Sequence, residues 1–211
     1  MPTADLNRHW EMLSVDERQR AMRFRFDIHR CRFVAARGVL RDLLGRYTNT
    51  APASIEFLYG PNGKPAIPTR DLHFNIAHAE DRGVFAFTRV APLGVDLERV
   101  RPVLEIMQIA ERFFSPRELE EITRDSEEER NAAFFRCWTQ KEAIIKATGE
   151  GLSAAVDAFE VFPSAKSQIV CVGTHQRFFL YDLGLSNGFT GAVACSQPSQ
   201  VSLKSLTASR V

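Results

Sequence analysis

Cysteine is scarce in this chain and never clustered. Cys31, Cys137, Cys171 and Cys195 are the four among 211 residues, with no CxxC pair and no spacing that suits metal ligands. They read as buried thiols of a reducing compartment, and structural disulfides are not expected. A charge excess is lacking too. Lysine and arginine number 27 against 26 acids, a formal net charge of +1, which argues against a nucleic-acid partner. No stretch approaches the roughly 20 apolar residues that span a bilayer, so no membrane partner is expected. The first residues, MPTADLNRHWEML, hold no basic segment followed by an apolar run. No secretory leader is read there, and the expected location is the cytoplasm. Neither GxxxxGK with a following hydroxyl residue nor GxGxxG occurs, so a P-loop and a dinucleotide fingerprint are both excluded. The length suffices for one large domain or two small ones that share a core.

What is present reads as α+β. Residues 15–47 suit one or two helices, with Asp16 in a first turn and Phe33, Ala36, Leu40, Leu43 and Tyr47 on one buried face. The arginines of this region suit a solvated face whose stems cover apolar surface. SIEFLYG reads as a strand and PNGKP as a turn. LHFNIAH and GVFAFTRV alternate as strands, with Gly83 suggesting a hairpin turn, and PLGVDLE is a further strand. An amphipathic helix is expected over 103–114. A second restarts at SPRELEEI, with Ser115 as N-cap, Pro116 first and Glu118 three residues after the cap. AAFFRCWTQKEAIIKATG is a helix ending at Gly149 or Gly151. AFEVF, QIVCV, RFFLYDLG and GAVACS read as strands, and the tail from Gln197 is polar. FNIAHAEDRGVFAFT and YDLGLSNGFTGAVAC echo each other weakly, as two similar halves joined near RVAPLG would.

The chemistry concentrates in two stretches. Asp96 and Glu98 are two apart on a strand, so both carboxylates face one way and Leu97 the other. Such a pair can be a solvated edge with Arg99 and Arg101 as partners. In WTQKEAIIKATGEG, Trp138, Glu142 and Lys146 form one helical stripe at i, i+4 and i+8. Taken alone, Glu142 and Lys146 would be a surface ion pair worth ~0.3–0.5 kcal/mol. If Glu142 joins Asp96 and Glu98, three acids without His or Cys companions suit a hard cation, magnesium first. Lys146 would then meet substrate phosphates. Lys64 in a tight NGKP turn and His78 after a strand add positive or donor groups. The set describes a site for a ligand carrying a diphosphate.

NGKP, FNIAH, GVDLE, FFSPRELE and WTQKEAIIKATGEGL occur in this order. Together they resemble the 4'-phosphopantetheinyl transferases of the large, pseudo-dimeric surfactin type, over about residues 20–161. The resemblance implies two similar α+β halves, at 1–92 and 93–211, with metal and catalytic residues in the second and coenzyme A in the cleft between them. It implies transfer of the phosphopantetheine arm of coenzyme A to a serine of an acyl or peptidyl carrier protein. Adenosine 3',5'-bisphosphate would be the other product. By motif, Asp96, Glu98 and Glu142 resemble the metal ligands, for Mg2+ or Mn2+. Lys146 resembles the lysine on the diphosphate. Lys64 and His78 resemble coenzyme-binding residues, Arg20 a base for the 3'-phosphate, and Glu118 a supporting acid. Trp138 joins as a supporting residue, and Lys141 is placed with the coenzyme. The family commonly has Ser before the histidine of the FN-S-H motif, whereas this chain has Ala77, so one hydroxyl contact to phosphate is lost.

The expected base for the carrier serine is Glu142 or a water on the metal, and two fused halves imply a monomer. A magnesium-dependent phosphoester hydrolase would release bisphosphate without a carrier. A module binding an acidic protein through its arginine-rich helices would bind without any coenzyme dependence.

Overall fold

Ser-x-x-Glu recurs at Ser14–Glu17, Ser115–Glu118 and Ser126–Glu129, and in the computed structural model each run starts a helix. The glutamate turns back to accept the N-cap N–H in all three, at 3.0, 2.7 and 3.2 Å. Orphan donors at the helix start are satisfied locally by this device. The structure describes residues 3–69, 71–124, 126–149, 158–173 and 175–206. The described residues of Met1–Phe57 and Lys204–Val211 form one compact unit, and those of Leu58–Leu203 another. By compactness the chain therefore divides after Phe57, while position 92/93 falls inside the second unit.

The first unit is helical: α1 (Thr3–Met12), α2 (Val15–Met22), α3 (Asp27–Thr48) and a 3-10 turn at Pro52–Ser54. Helix α1 was not foreseen in the sequence. The buried face of α3 is rotated from the expected one. It carries Val34, Arg37, Gly38, Leu40, Arg41, Leu44 and Gly45, and Tyr47 is 47% exposed. Charge explains the rotation: Glu17 of α2 is buried and pairs with both Arg37 and Arg41, so these arginines turn inward. Arg41 also donates to the carbonyls of Pro52 and Ile55. That contact, with the 3-10 turn, takes up the main chain at 52–55, so the strand expected over SIEFLYG shortens to Leu58–Tyr59.

The second unit begins with two hairpins, β1 (Leu58–Tyr59) with β2 (Pro65–Ala66) and β3 (His73–Ala79) with β4 (Arg82–Thr88). The second hairpin turns at Glu80–Asp81, and Gly83 lies within β4 opposite His78. Then follow β5 (Leu93–Arg99), α4 (Ile106–Phe113), α5 (Pro116–Thr123), α6 (Glu127–Thr148), β6 (Ser167–Val172), β7 (Gln176–Asp182) and β8 (Phe189–Cys195). The last three strands and β5 make an antiparallel sheet in the order β5-β8-β7-β6. Helix α6 closes at Gly149, whose φ of 78° is the left-handed cap that glycine accepts; Gly151 lies outside the described residues. Among the described residues no helix is long and apolar enough to cross a membrane. The four cysteines are free; only Cys137 and Cys195 are buried, so the expectation of four buried thiols holds for two.

AFEVF is not a strand. Its main chain is satisfied by side chains instead: the Phe159 carbonyl accepts from Lys141, and the Val161 N–H donates to Glu118. Phe159 and Val161 still enter the large core, with Phe114, Ile122, Ile144, Ile145, Phe178 and Leu180.

Strand β5 and helix α6 approach closely. A Cβ at Gly94 would lie 2.1 Å from the Ala143 carbonyl oxygen and 2.4 Å from the Ala147 nitrogen. Only glycine lets the strand touch the helix main chain to main chain. Strand periodicity then puts Gly94, Asp96 and Glu98 on the α6 side. Val95 and Leu97 lie on the other side, in a cluster with Ala77 and Phe189. Gly94→Ala should therefore destabilise by at least about 1–3 kcal/mol, the cost of overpacking against atoms that cannot move aside. Chemical denaturation of the purified variant checks this; wild-type stability would show that α6 can yield.

Candidate active site

The Gly94 contact brings the strand acids against the helix that carries Glu142 and Lys146. Asp96 is 6% exposed, and Lys146 Nζ donates to its Oδ1 at 2.6 Å. Its Oδ2 is buried and has no hydrogen-bond partner. A buried carboxylate oxygen in that state costs free energy until a cation or donor reaches it. Burial holds the Asp96 carboxyl above the ordinary range, opposed by Lys146 and, more weakly, by His78. Glu98 is raised by burial and then by the Asp96 charge, against Arg101 and Lys146. Glu142 is raised by burial, then by Asp96, with Glu98 adding and Lys146 opposing. Glu98 feels the Asp96 charge, Glu142 feels both, and Lys146 acts on all three.

The expected trio is thus one electrostatic site. Among the described residues no three acid, imidazole or thiol groups already stand in cation-ligand geometry. The donor chemistry fits a hard, oxygen-preferring cation nonetheless, because Asp96 Oδ2 lacks a partner and the neighbouring acids repel.

The remaining expected residues separate. His78 is exposed at the end of β3, near enough to act on Asp96 through its charge. Ala77, before it, packs with Val95 and Leu97, so its methyl serves the apolar face. Trp138 stacks on Phe134 and meets Phe113 edge-on. Lys141, expected at the coenzyme, is 0% exposed. Its ammonium pairs with Glu118 at 2.9 Å and donates to the Phe159 carbonyl at 2.7 Å, so it is committed to the core and unable to meet a ligand. Glu118 supports in the same sense, taking Lys141, the Val161 N–H and the Ser115 N–H. Lys64, expected on coenzyme phosphates, donates to the main-chain carbonyls of Leu93 and Lys146; burial lowers it to about 8. Arg20 belongs to the helical unit, its guanidinium over the Phe33 ring.

Two residues that position the site went unread in the sequence. Asn75 is buried, and its Oδ1 accepts the Val95 N–H at 2.8 Å. The signal was a polar residue at a strand position between apolar neighbours in FNIAH, where burial demands a partner. Gly94 is the other; a glycine inside an alternating strand marks close backbone approach.

The profile of the 4'-phosphopantetheinyl transferase superfamily matches residues 92–194, from just before β5 almost to the end of β8. The 4'-phosphopantetheinyl transferase ffp of Bacillus subtilis is 30% identical over 199 residues, 92% of this chain and 87% of the relative. The chain belongs to the 4'-phosphopantetheinyl transferase superfamily. The 4'-phosphopantetheinyl transferase HetI of Nostoc sp. is 42% identical over 145 residues, 67% of this chain and 61% of the relative. A Synechocystis sp. relative is 35% identical over 149 residues, also 61% of its own length. The chain thus spans about three fifths of these two cyanobacterial relatives. In this transferase-family chain, the profile covers Asp96, Glu98, Glu142 and Lys146 and leaves Lys64 and His78 outside it.

Like charges held together should cost the metal-free protein stability. Their folded proton affinities are raised, so the folded chain ionises at higher pH than the unfolded one. Stability is then greatest below the unfolded carboxylate values and falls as pH rises through the folded ones. Glu142→Gln removes one such charge. In chelator, its melting temperature should match wild type at acidic pH and exceed it at neutral pH. A gain of ~1 kcal/mol would read as about 2–4 °C in a chain of this size. A neutral-pH loss of stability would mean that the Glu142 charge is compensated within the fold.

Proposed function

We propose that this chain transfers the 4'-phosphopantetheine arm of coenzyme A to a serine of an acyl or peptidyl carrier protein. Support comes above all from the buried Asp96–Lys146 pair, with Asp96 Oδ2 unpartnered, inside the stretch that the superfamily profile covers. A divalent cation held by Asp96, Glu98 and Glu142, magnesium first and manganese second, would supply neutralisation of the diphosphate charge. The carrier serine Oγ attacks the β-phosphorus of the coenzyme. The bond from that phosphorus to the bridging oxygen breaks, and the bridging oxygen leaves on adenosine 3',5'-bisphosphate. The serine proton passes to Glu142, the general base of this reading. Lys146 stands beside Asp96 and stabilises charge developing on the leaving phosphate. His78 is assigned to the coenzyme phosphates.

The finer organisation is part of the same reading. The halves at 1–92 and 93–211 form a pseudo-twofold pair, with the hairpins β3–β4 and β7–β8 as the repeated element. The acids and Lys146 lie in one unit of one chain, which supports a monomer. Four free thiols favour the cytoplasm.

The test is intact-mass spectrometry of an apo carrier protein incubated with this protein, coenzyme A and magnesium. The carrier should gain one phosphopantetheine arm, and chelator should abolish the gain. Bisphosphate released without a carrier would make the chain a hydrolase. Glu142→Gln should fold and lose roughly 10²-fold or more in rate, the scale of a general base; wild-type turnover would remove it from that role. Asp96→Ala should need far more magnesium, and an unchanged magnesium titration would take Asp96 out of the cation site.

A further inference from the structure

The C-terminal ends of helices leave carbonyls without intrahelical donors, and something must satisfy them. At the C-terminus of α6 that role falls to a turn more than 80 residues away in sequence. Hairpin β1–β2 closes through residues 60–64, where the Gly60 N–H donates to the Lys64 carbonyl at 3.0 Å and Gly63 takes a φ of 75°. From this turn Lys64 donates to the Lys146 carbonyl, and Asn62 Nδ2 donates to the Gly149 carbonyl at 3.0 Å. The helix stops at Thr148 with Gly149 as its cap, which puts the Lys146 carbonyl in the last turn. An ammonium at that end also complements the negative pole of the helix.

Lys64 makes one further contact, to the Leu93 carbonyl at 2.8 Å. Strand β5 is an edge of its sheet, paired on one side with β8. Leu93 and Val95 have the same parity, and the Val95 N–H goes to Asn75 Oδ1, so both turn their main-chain groups to the open edge. One ammonium therefore ties the start of β5 to the last turn of α6. Asp96 lies three residues along one, and the Lys146 carbonyl belongs to the residue whose ammonium meets Asp96. Two of the three ammonium hydrogens are directed at main chain.

From this geometry we infer that the PNGKP turn is a clamp, with Asn62 and Lys64 as positioning residues that hold Lys146 against Asp96. Lys64 acts on catalysis through the main chain of α6 and β5. The catalytic part of the inference rests on the transferase reading; the clamp itself does not.

The deciding measurement is peptide-level hydrogen exchange on the full chain without coenzyme or carrier, comparing wild type with Lys64→Met. The variant keeps the aliphatic stem and removes the donors. Exchange should quicken on the order of tenfold in peptides over 143–149 and 93–99, while α5 stays at the wild-type rate, as expected for local loosening. Unchanged exchange in those peptides overturns the clamp, whatever the transferase assay gives, so failure here is distinct from failure of the proposed function. Steady-state kinetics supply the second readout. Lys64→Met should lower kcat on the order of tenfold, the scale of a displaced catalytic group, with KM for coenzyme A within about twofold. A raised KM with kcat kept would make Lys64 a coenzyme ligand and overturn the positioning role. Lys64→Arg, which retains donors, should restore part of both signals. If Lys64→Met does not fold, Asn62→Ser removes one exposed donor only. It should quicken exchange at the end of α6, and its failure to do so overturns the inference equally.

Discussion

Everything at this site depends on two main chains touching. Without a side chain at position 94, β5 lies directly on α6, and the acids of the strand share one volume with the acid and lysine of the helix. A helix normally packs on a sheet through interleaved side chains, which would hold these groups several ångströms further apart. The short Asp96–Lys146 ion pair is the direct product of that contact. The apolar residues that alternate with the acids, Val95 and Leu97, brace the strand from its other side.

The electrostatics of the site run against folding. Three acids are raised in proton affinity chiefly by burial, which is the mark of charge kept where water is scarce. A core built for stability would pair such groups, as the protein does twice elsewhere. Glu17 is enclosed by Arg37 and Arg41, and Glu118 by Lys141 and two N–H groups. Only Asp96 has a buried oxygen with nothing beside it among these three carboxylates. The contrast separates two acids that organise the fold from one with a buried oxygen left without a hydrogen-bond partner.

Much of this was legible in the sequence, for identifiable reasons. Period-two spacing placed Asp96 and Glu98 on one face. The i, i+4 rule set Glu142 and Lys146 on one stripe, and Ser115 with Glu118 announced the start of α5. What failed was knowledge of partners. Lys141 sits in the same KEAIIK run as Lys146, yet it lies about 100° round the helix from Glu142, which sends it into the core, where it pairs with Glu118. Tyr47 was placed inside because its spacing suits burial, but the Glu17–arginine pairing turns the helix the other way. AFEVF has the composition of a strand and lacks a strand beside it, since side chains take its main-chain bonds. Periodicity reports which way a residue faces, and long-range pairing decides what it meets there.

The open edge of β5 carries a wider consequence. An unpaired strand edge is a template on which another chain can add a strand, and proteins must block it. Here Asn75 takes the Val95 N–H and Lys64 the Leu93 carbonyl, so two of the main-chain groups that a foreign strand would seek are already engaged. The residues that tie β5 to α6 thereby also cover part of its edge, and loosening them would offer that edge to a foreign strand.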